Sequence, residues 1–282
     1  MNKKKILSYV LITVIALALL IYNAFYINPH QLKVRTETLV SDKVDSKLDG
    51  SLILYFSDLK YGSNINEDRL ESLKEQINEF KADVIFFGGD VIDTLNITKL
   101  SEEESEILVT FFKDLKASSM KCAVLGEADL YTAEMEESIR NILKRADFRI
   151  YENTNDRIMI NDSFINIIGI DSMLGSTPDI EKSFEGLNAN YFSLAVSHTG
   201  DSANGIDKTK CDYFIAGHSL GGKVYIPLIN LLFRDEGSNN YYHGKYKDVD
   251  LTVDITNGVG TPSENVRLFA DSEIVVYKLK KS

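Results

Sequence analysis

Short runs of apolar, β-branched residues alternate along this chain with stretches in which apolar positions recur every three to four residues. The first pattern predicts buried strands and the second amphipathic helices. The strand-like runs are SLILYFSD (51–58), ADVIFFGGD (82–90), KCAVLGEAD (121–129), FINIIGID (164–171), YFSLAVSH (191–198), CDYFIAGH (211–218), LTVDITNG (251–258) and EIVVYKL (273–279). The helical stretches are NEDRLESLKEQINEFK (66–81), SEEESEILVTFFKDLKAS (101–118) and TAEMEESIRNILKRADF (132–148). Their alternation predicts βαβ units and a largely parallel sheet. Residues 30–50 read as a polar connector and RDEGSNNYYHGKY (234–246) as a loop.

The helix starts are readable residue by residue. Ser101 followed by Glu104 makes a capping box, and Glu102, Glu103, Glu104 and Glu106 complement the helix dipole, so this acidic cluster reads as a helix start before a cation site. Thr132 is the cap expected for the third helix.

A different hydrophobic pattern opens the chain. Lys3, Lys4 and Lys5 precede ILSYVLITVIALALLIYNAFYI, 22 residues without a charge, long enough to cross a bilayer as a helix. The basic residues before it suggest a cytoplasmic N-terminus and an exported body. A cleaved signal peptide is the rival reading, but the A-x-A at Ala16–Ala18 lies inside the apolar run. The expected organisation is an anchor over 1–29, an entry segment over 30–50 and one catalytic-size domain over 51–282.

Composition narrows the partners. A net charge of -11 disfavours nucleic acid, which is held chiefly by Lys and Arg on phosphates. Two cysteines, Cys122 and Cys211, make no disulfide framework and read as buried core thiols.

Most of the first six runs end in Asp or His, often after Gly, and polar groups at the carboxyl ends of strands converge on one rim of an α/β sheet. One end, GHSLG (217–221), fits the G-x-S-x-G nucleophile elbow and would make Ser219 the nucleophile of an esterase. The context disagrees. KVYIPLINLL after it is β-branched and carries Pro227, and only His243 follows, 24 positions on. The serine esterase stays a remote alternative.

Taken together, SDLKYG (57–62), GGDVID (88–93), GEADLY (126–131), SHTG (197–200) and GHSLGG (217–222) resemble the calcineurin-like metallophosphoesterase family, whose motifs run D-x-H, G-D-x-x-D, G-N-H-D, H and G-H-x-H-G-G. GGKVYIP, YYHGKY and NGVGTPSENVRLFADSEIVVYKL extend the likeness over roughly residues 50–280, to a branch whose members often carry an N-terminal membrane segment or export signal. The resemblance implies an α-β-β-α sandwich with two mixed sheets and metal-dependent hydrolysis of a phosphomonoester or phosphodiester. It implies Asp58 and the bridging Asp90 as ligands of a first metal, with Glu127, His198 and His218 joining Asp90 around a second.

Four positions depart from the family pattern, two of them in the first site, and at one of the others Glu127 stands where the family has Asn, an oxygen ligand still but a charged one. Lys60 and Leu220 replace the first site's two histidines, and Ala128 replaces the family's catalytic imidazole. One divalent ion (Mn, Zn or Fe) rather than two is therefore expected, with the Lys60 ammonium in the place of its companion and able to contact phosphate as a point charge. Three carboxylates against one ammonium leave two negative charges, which a single divalent ion neutralises. Two classes stay open: a slow phosphoester hydrolase, and a pseudoenzyme holding a metal or a small phosphoester or lipid-phosphate ligand at the membrane. Asp93 and Asp129 read as supporting or turn groups, His30 and His243 as linker and loop residues.

Overall fold

The structure, a computed structural model, describes residues 3–226, 234–247 and 251–282. Pro227 and the apolar residues after it, which weakened the nucleophile elbow, lie outside the described residues.

The chain opens with helix α1 (Lys3–Tyr22), which buries none of its side chains against the rest of the protein. A π-helical turn (Asn23–Ile27) and a 3-10 turn (Asn28–His30) tie its end to the body. Three longer helices follow the predicted pattern: α2 (Glu67–Glu79), α3 (Glu102–Lys113) and α4 (Ala133–Arg145), with α5 (Ile180–Ser183) a single turn. Asn66 caps α2, Ser101 and Glu104 form the predicted capping box of α3, and Thr132 caps α4.

Among the described residues, twelve strands make two six-stranded mixed sheets. They are β1 (Leu32–Ser41), β2 (Leu52–Phe56), β3 (Val84–Phe87), β4 (Met120–Ala123), β5 (Phe148–Ile150), β6 (Thr154–Ile160), β7 (Ser163–Gly169), β8 (Ser193–Val196), β9 (Tyr213–Ala216), β10 (Gly244–Lys247), β11 (Thr252–Ile255) and β12 (Ser272–Lys281). One sheet runs β1-β12-β2-β3-β4-β5, with β12 antiparallel to β2. The other runs β10-β11-β9-β8-β7-β6, parallel except at its two edges.

Each buried run lies on one of three layers. Helices α2, α3 and α4 cover the outer face of the first sheet through Leu70, Leu73, Leu108, Phe112, Ile139 and Leu143. The inner faces meet through Tyr55, Phe86, Cys122, Ile167, Leu194 and Tyr277. A thinner layer around α5 and Ile206 covers the second sheet. This is the metallophosphoesterase-like α-β-β-α arrangement with its N-terminal apolar helix.

Four strands lie outside the predicted runs: β5 at the end of the stretch read as helical to residue 148, β6 after it, and one each in the connector and the loop. The polar connector of residues 30–50 contains β1, ten residues paired in parallel with β12. Its charges are satisfied largely from other strands: Arg35 meets Asp254 at 2.9 Å and Glu273 at 3.1 Å, besides Glu37 of β1 itself at 3.0 Å. The loop read at 234–246 ends in β10, an edge strand on β11.

The register locates the anchor. Val275 pairs Tyr55, so Ser272, three residues earlier, stands level with Asp58 beyond the end of β2, and Ser272 pairs Leu32 at the start of β1. Helix α1 thus joins the body at the sheet edge where the carboxyl-end residues gather.

Candidate metal centre

Five loops, each leaving the carboxyl end of a strand, bring the predicted residues together. Asp58 follows β2, Asp90 follows β3, Glu127 follows β4, His198 follows β8 and His218 follows β9. The chain turns sharply there: Asp58, Lys60, Asp90, His218 and Leu220 all sit in the left-handed region at φ 54, 49, 63, 67 and 53°. Strain of this kind at non-glycine residues costs about 1–3 kcal/mol each and gathers at functional sites. Two glycines make the close approach possible. A Cβ on Gly126 would lie 2.2 Å from Asp90 Oδ1, and one on Gly217 2.2 Å from Ser57 Oγ.

The two imidazoles are oriented by backbone carbonyls, which can only accept. His198 Nδ1 lies 2.7 Å from the Gly88 carbonyl and therefore carries the proton, leaving Nε2 to face the site. His218 Nε2 likewise donates to the Glu236 carbonyl at 2.9 Å, leaving Nδ1 free. A second ring nitrogen fixed in this way is the usual support of a metal-binding histidine.

The free nitrogens face carboxylate oxygens. His198 Nε2 lies 3.0 Å from Glu127 Oε2, 3.3 Å from Asp90 Oδ2 and 4.0 Å from Asp58 Oδ1, and His218 Nδ1 lies 3.0 Å from Glu127 Oε1. Asp58 Oδ1, Glu127 Oε2, His198 Nε2 and His218 Nδ1 are buried and make no hydrogen bond. Without an ion these contacts need a second proton on each imidazole, which burial opposes and the neighbouring carboxylates favour, raising the pKa of both histidines; a cation among the lone pairs satisfies them together. Ligand atoms about 2.0–2.2 Å from one ion stand roughly 3.3 Å apart, so the spacing and the nitrogen and oxygen donors suit a divalent metal. Two overlapping groups qualify, Glu127 with His198 and His218, and Asp58 with Asp90 and His198.

Lys60 sits inside this set. Its ammonium is bonded to Asp90 Oδ2, the oxygen that faces His198. Burial works against the charged Lys60, but Asp90, Asp58 and Glu127 outweigh it and hold its pKa above the ordinary lysine value. Burial and the Glu127 charge oppose ionisation of Asp90, yet His198 and Lys60 keep its pKa below the usual range. Burial also opposes the Glu127 charge, and the two imidazoles overcome it.

Supporting groups complete the geometry. Asp129 accepts the backbone N–H groups of Asp90, Val91 and Gly126 at 2.8–2.9 Å and so fixes the Asp90 turn. Asp93 accepts from Ser263 and Leu95 and ties two loops, as a turn group. Ser57 Oγ donates to Asp58 Oδ2 at 2.6 Å, while the Ala128 N–H donates to Asp90 Oδ1 at 2.9 Å.

Arg267, wholly buried, is the supporting residue that sequence reasoning missed. Its guanidinium donates to the carbonyls of Leu220, Asn257, Gly260 and Ala270 and so ties the GHSLGG loop to the NGVG loop behind Asp58. Nothing in its local sequence announces this, because its partners are main-chain oxygens apart from the Thr261 hydroxyl at 3.3 Å.

The elbow serine has a different role. Ser219 Oγ donates to the Tyr242 carbonyl at 2.7 Å, and among the described residues a one-turn 3-10 segment (Leu220–Gly222) follows it. The His243 ring stacks on Tyr225, centroids 4.0 Å apart. Position 220 presents a buried leucine and position 128 a buried alanine.

Comparison with known proteins follows the same line. No family model matches the chain. An uncharacterized metallophosphoesterase of Bacillus subtilis, YkuE, is 24% identical over 260 residues, covering 92% of this chain and 89% of that protein. One from Aquifex aeolicus is 24% identical over 266 residues, covering 90% of this chain and 94% of that protein. Over nearly its whole length the chain is similar to proteins named metallophosphoesterases, in line with the calcineurin-like motifs of its strand ends.

Divalent metal is the family's cofactor, and the donor set above is where this member could hold it. A Danio rerio relative, a transmembrane protein with a metallophosphoesterase domain, is 23% identical over 254 residues, covering 86% of this chain and 56% of its own length. Here Lys3–His30 is long and apolar enough to cross a membrane, which is consistent with membrane association. Among solved structures, a 5'-nucleotidase from Candida albicans superposes with TM-score 0.47 at 12% identity, over 82% of this chain and 47% of that one. A dimetal phosphatase from Danio rerio gives 0.45 at 14% identity, over 77% and 90%. Both likenesses are loose.

Proposed function

We propose that this protein is a membrane-anchored metallophosphoesterase-like phosphoester hydrolase with a reduced, one-metal site. The observation that carries the reading is the meeting of four unpartnered donor atoms on Asp58, Glu127, His198 and His218 beside an Asp90 already bonded to Lys60. Asp90, Glu127, His198 and His218 would hold the ion, with Asp58 at the edge of the set. When bound, such an ion supplies charge stabilisation for the phosphoryl group and a more acidic water.

The chain's own groups define the rest. Lys60 neutralises Asp90 and offers a point charge to a phosphate oxygen, while His198 and His218 are held in one tautomer by Gly88 and Glu236. Ala128 brings no imidazole to protonate a leaving group, a contribution worth about 100-fold to 10,000-fold where it is present. Activated esters with good leaving groups are therefore the substrates this site hydrolyses fastest. The same substitution favours a second reading, a pseudoenzyme that binds metal and a phosphate-bearing ligand without turnover.

In this reading the body takes in β1 as well as residues 51–282, the first 29 residues form a single-pass anchor with Lys3–Lys5 in the cytoplasm, and the site lies outside. The deciding experiment uses the full chain in detergent, with bound Mn measured alongside hydrolysis of an aryl phosphodiester. One ion with turnover that Asp90→Ala abolishes supports the hydrolase. One ion without turnover selects the pseudoenzyme, and no bound ion overturns both.

A further inference from the structure

Five of the eight large exposed apolar side chains among the described residues of the body share one placement, while Val34 and Val40 on β1 and Met159 on β6 do not. Among the described residues, Leu95, Tyr131, Met173, Ile226 and Phe269 are large, apolar and 45–69% exposed, and each lies in a loop beyond the carboxyl end of β3, β4, β7, β9 or β11. These are the loops, or the neighbours of the loops, that deliver Asp90, Glu127 and His218. The apolar groups therefore ring the rim on which the candidate site opens. Exposed apolar side chains gathered on one rim mark a contact with another apolar phase.

The base of α1 meets the same rim. The Arg267 N–H donates to the Ala24 carbonyl at 2.9 Å, Asn28 Nδ2 to the Arg267 carbonyl at 3.2 Å and Asn265 Nδ2 to the Phe25 carbonyl at 3.3 Å. Leu268, the next residue, pairs with Val224, and its carbonyl accepts from Tyr225 N–H at 2.8 Å, which brings Ile226 alongside. Tyr22, Phe25 and Tyr26 at this end of the apolar helix are exposed, as aromatic residues at a membrane–water boundary are.

Phe269 makes the case sharpest. It is 53% exposed and sits at φ 56°, a backbone conformation that a bulky side chain rarely adopts. Neither packing within the body nor backbone preference accounts for an aromatic ring held outward there.

We propose that this rim lies on the lipid surface, as a second membrane contact beside α1. Leu95, Tyr131, Met173, Ile226 and Phe269 then reach the headgroup level, where apolar groups of interfacial segments sit about 5–10 Å into the boundary. The mouth of the site faces the bilayer, and the phosphoesters nearest to it are those of lipid headgroups. The inference rests on the reading of α1 as an anchor and is independent of turnover.

Single cysteines test it in the full chain, because the native Cys122 and Cys211 are buried and will not compete for label. An environment-sensitive fluorophore is placed in turn at 131, 226 and 269, at the exposed Met159 on β6 as a far-edge reference, and at Leu11 within α1. Each protein is reconstituted into phosphatidylcholine vesicles with and without a headgroup nitroxide lipid. Loss of emission at 131, 226 and 269 but not at 159 is the expected result. Labels at 131, 226 and 269 that behave like the one at 159 overturn the proposal while leaving the hydrolase reading intact. A label at 11 that is insensitive to deeper nitroxide lipids overturns the anchor, and the proposal with it. Should Phe269→Cys fail to fold, positions 131 and 226 decide the matter by the same comparison.

Discussion

The Lys60 ammonium and His198 Nε2 approach the same oxygen of Asp90, Oδ2, from two sides. A carboxylate oxygen shared between an ammonium and an imidazole has its negative charge already balanced on one face, which leaves the other face for a single cation. On the one-metal reading proposed above, Lys60 supplies that balancing charge and the buried Leu220 brings no ligand.

Lys60→Met tests the charge balance. It leaves Asp90 buried beside Asp58 without its cation, and breaking a buried pair from one side costs about 3–5 kcal/mol. For a chain of this size each kcal/mol lowers the melting temperature by about 2–4 °C. The metal-free variant should therefore melt well below the parent, and added Mn should recover much of the loss. Thermal melts with and without Mn measure both. A variant that melts like the parent without metal would remove Lys60 from the balance.

Glu127→Gln keeps the shape of the side chain and deletes the charge that both imidazoles face. Losing an outer partner of a metal ligand costs about 10–100-fold in affinity, and a direct ligand should cost at least that. Titration of Mn, followed by the resonance of the free ion, should show the weaker binding with the fold unchanged by circular dichroism.

Arg267→Met leaves the carbonyls of Leu220, Asn257, Gly260 and Ala270 without their donor. Each buried acceptor left unpaired costs about 1–3 kcal/mol, so a loss of at least about 3 kcal/mol in urea unfolding is expected. Arg267→Lys should not restore it, because one ammonium cannot span four segments that a planar guanidinium bridges.

Much of the molecule is readable from the chain, and what is not has a physical cause. The eight apolar runs and three periodic stretches are strands and helices in the structure because burial on both faces, or on one stripe, writes itself into composition. Strand β1 escapes, since its LKVRTETLVS carries charges that Asp254 and Glu273 neutralise from β11 and β12. Such partners are more than two hundred residues away in sequence. Strand β10 escapes for a similar reason, being a short polar edge. At the site, the gathering of Asp58, Asp90, Glu127, His198 and His218 follows from strand-end motifs. The Gly88 and Glu236 carbonyls that set the histidine tautomers, and the Arg267 clamp, act through main-chain oxygens, which every residue possesses and no motif records.

The two thiols give a pH prediction. Burial pushes Cys122 and Cys211 from 9.0 up to about 12. For an acid whose folded pKa is raised, the folded state keeps a proton that the unfolded chain releases. The stability each thiol contributes is therefore fully present below about pH 9 and is lost as pH rises toward about 12, by roughly 1.4 kcal/mol per pH unit for each group. Cys122→Val, which cannot titrate, should flatten the alkaline limb of a urea-midpoint profile between pH 9 and 11. An unchanged limb would place the alkaline sensitivity elsewhere.

Restoring three of the substituted positions tests the reading of the site as a whole. Lys60 and Leu220 already have the left-handed backbone that turns their side chains at the strand ends, and histidine tolerates that conformation better than leucine does. Lys60→His with Leu220→His removes the competing ammonium and adds two nitrogen donors beside Asp58 and Asp90, and Ala128→His returns an imidazole next to Asp90. The triple variant should bind two Mn ions where the parent binds one, and its aryl phosphodiester turnover should rise by about 100-fold or more if the returned imidazole acts as an acid. Metal stoichiometry reads the ligands and turnover reads the imidazole, so the two can fail separately. A variant that still binds a single ion would mean that the hollow beside Asp58 is too small for a second one whatever side chains line it, and that Lys60 is there for packing.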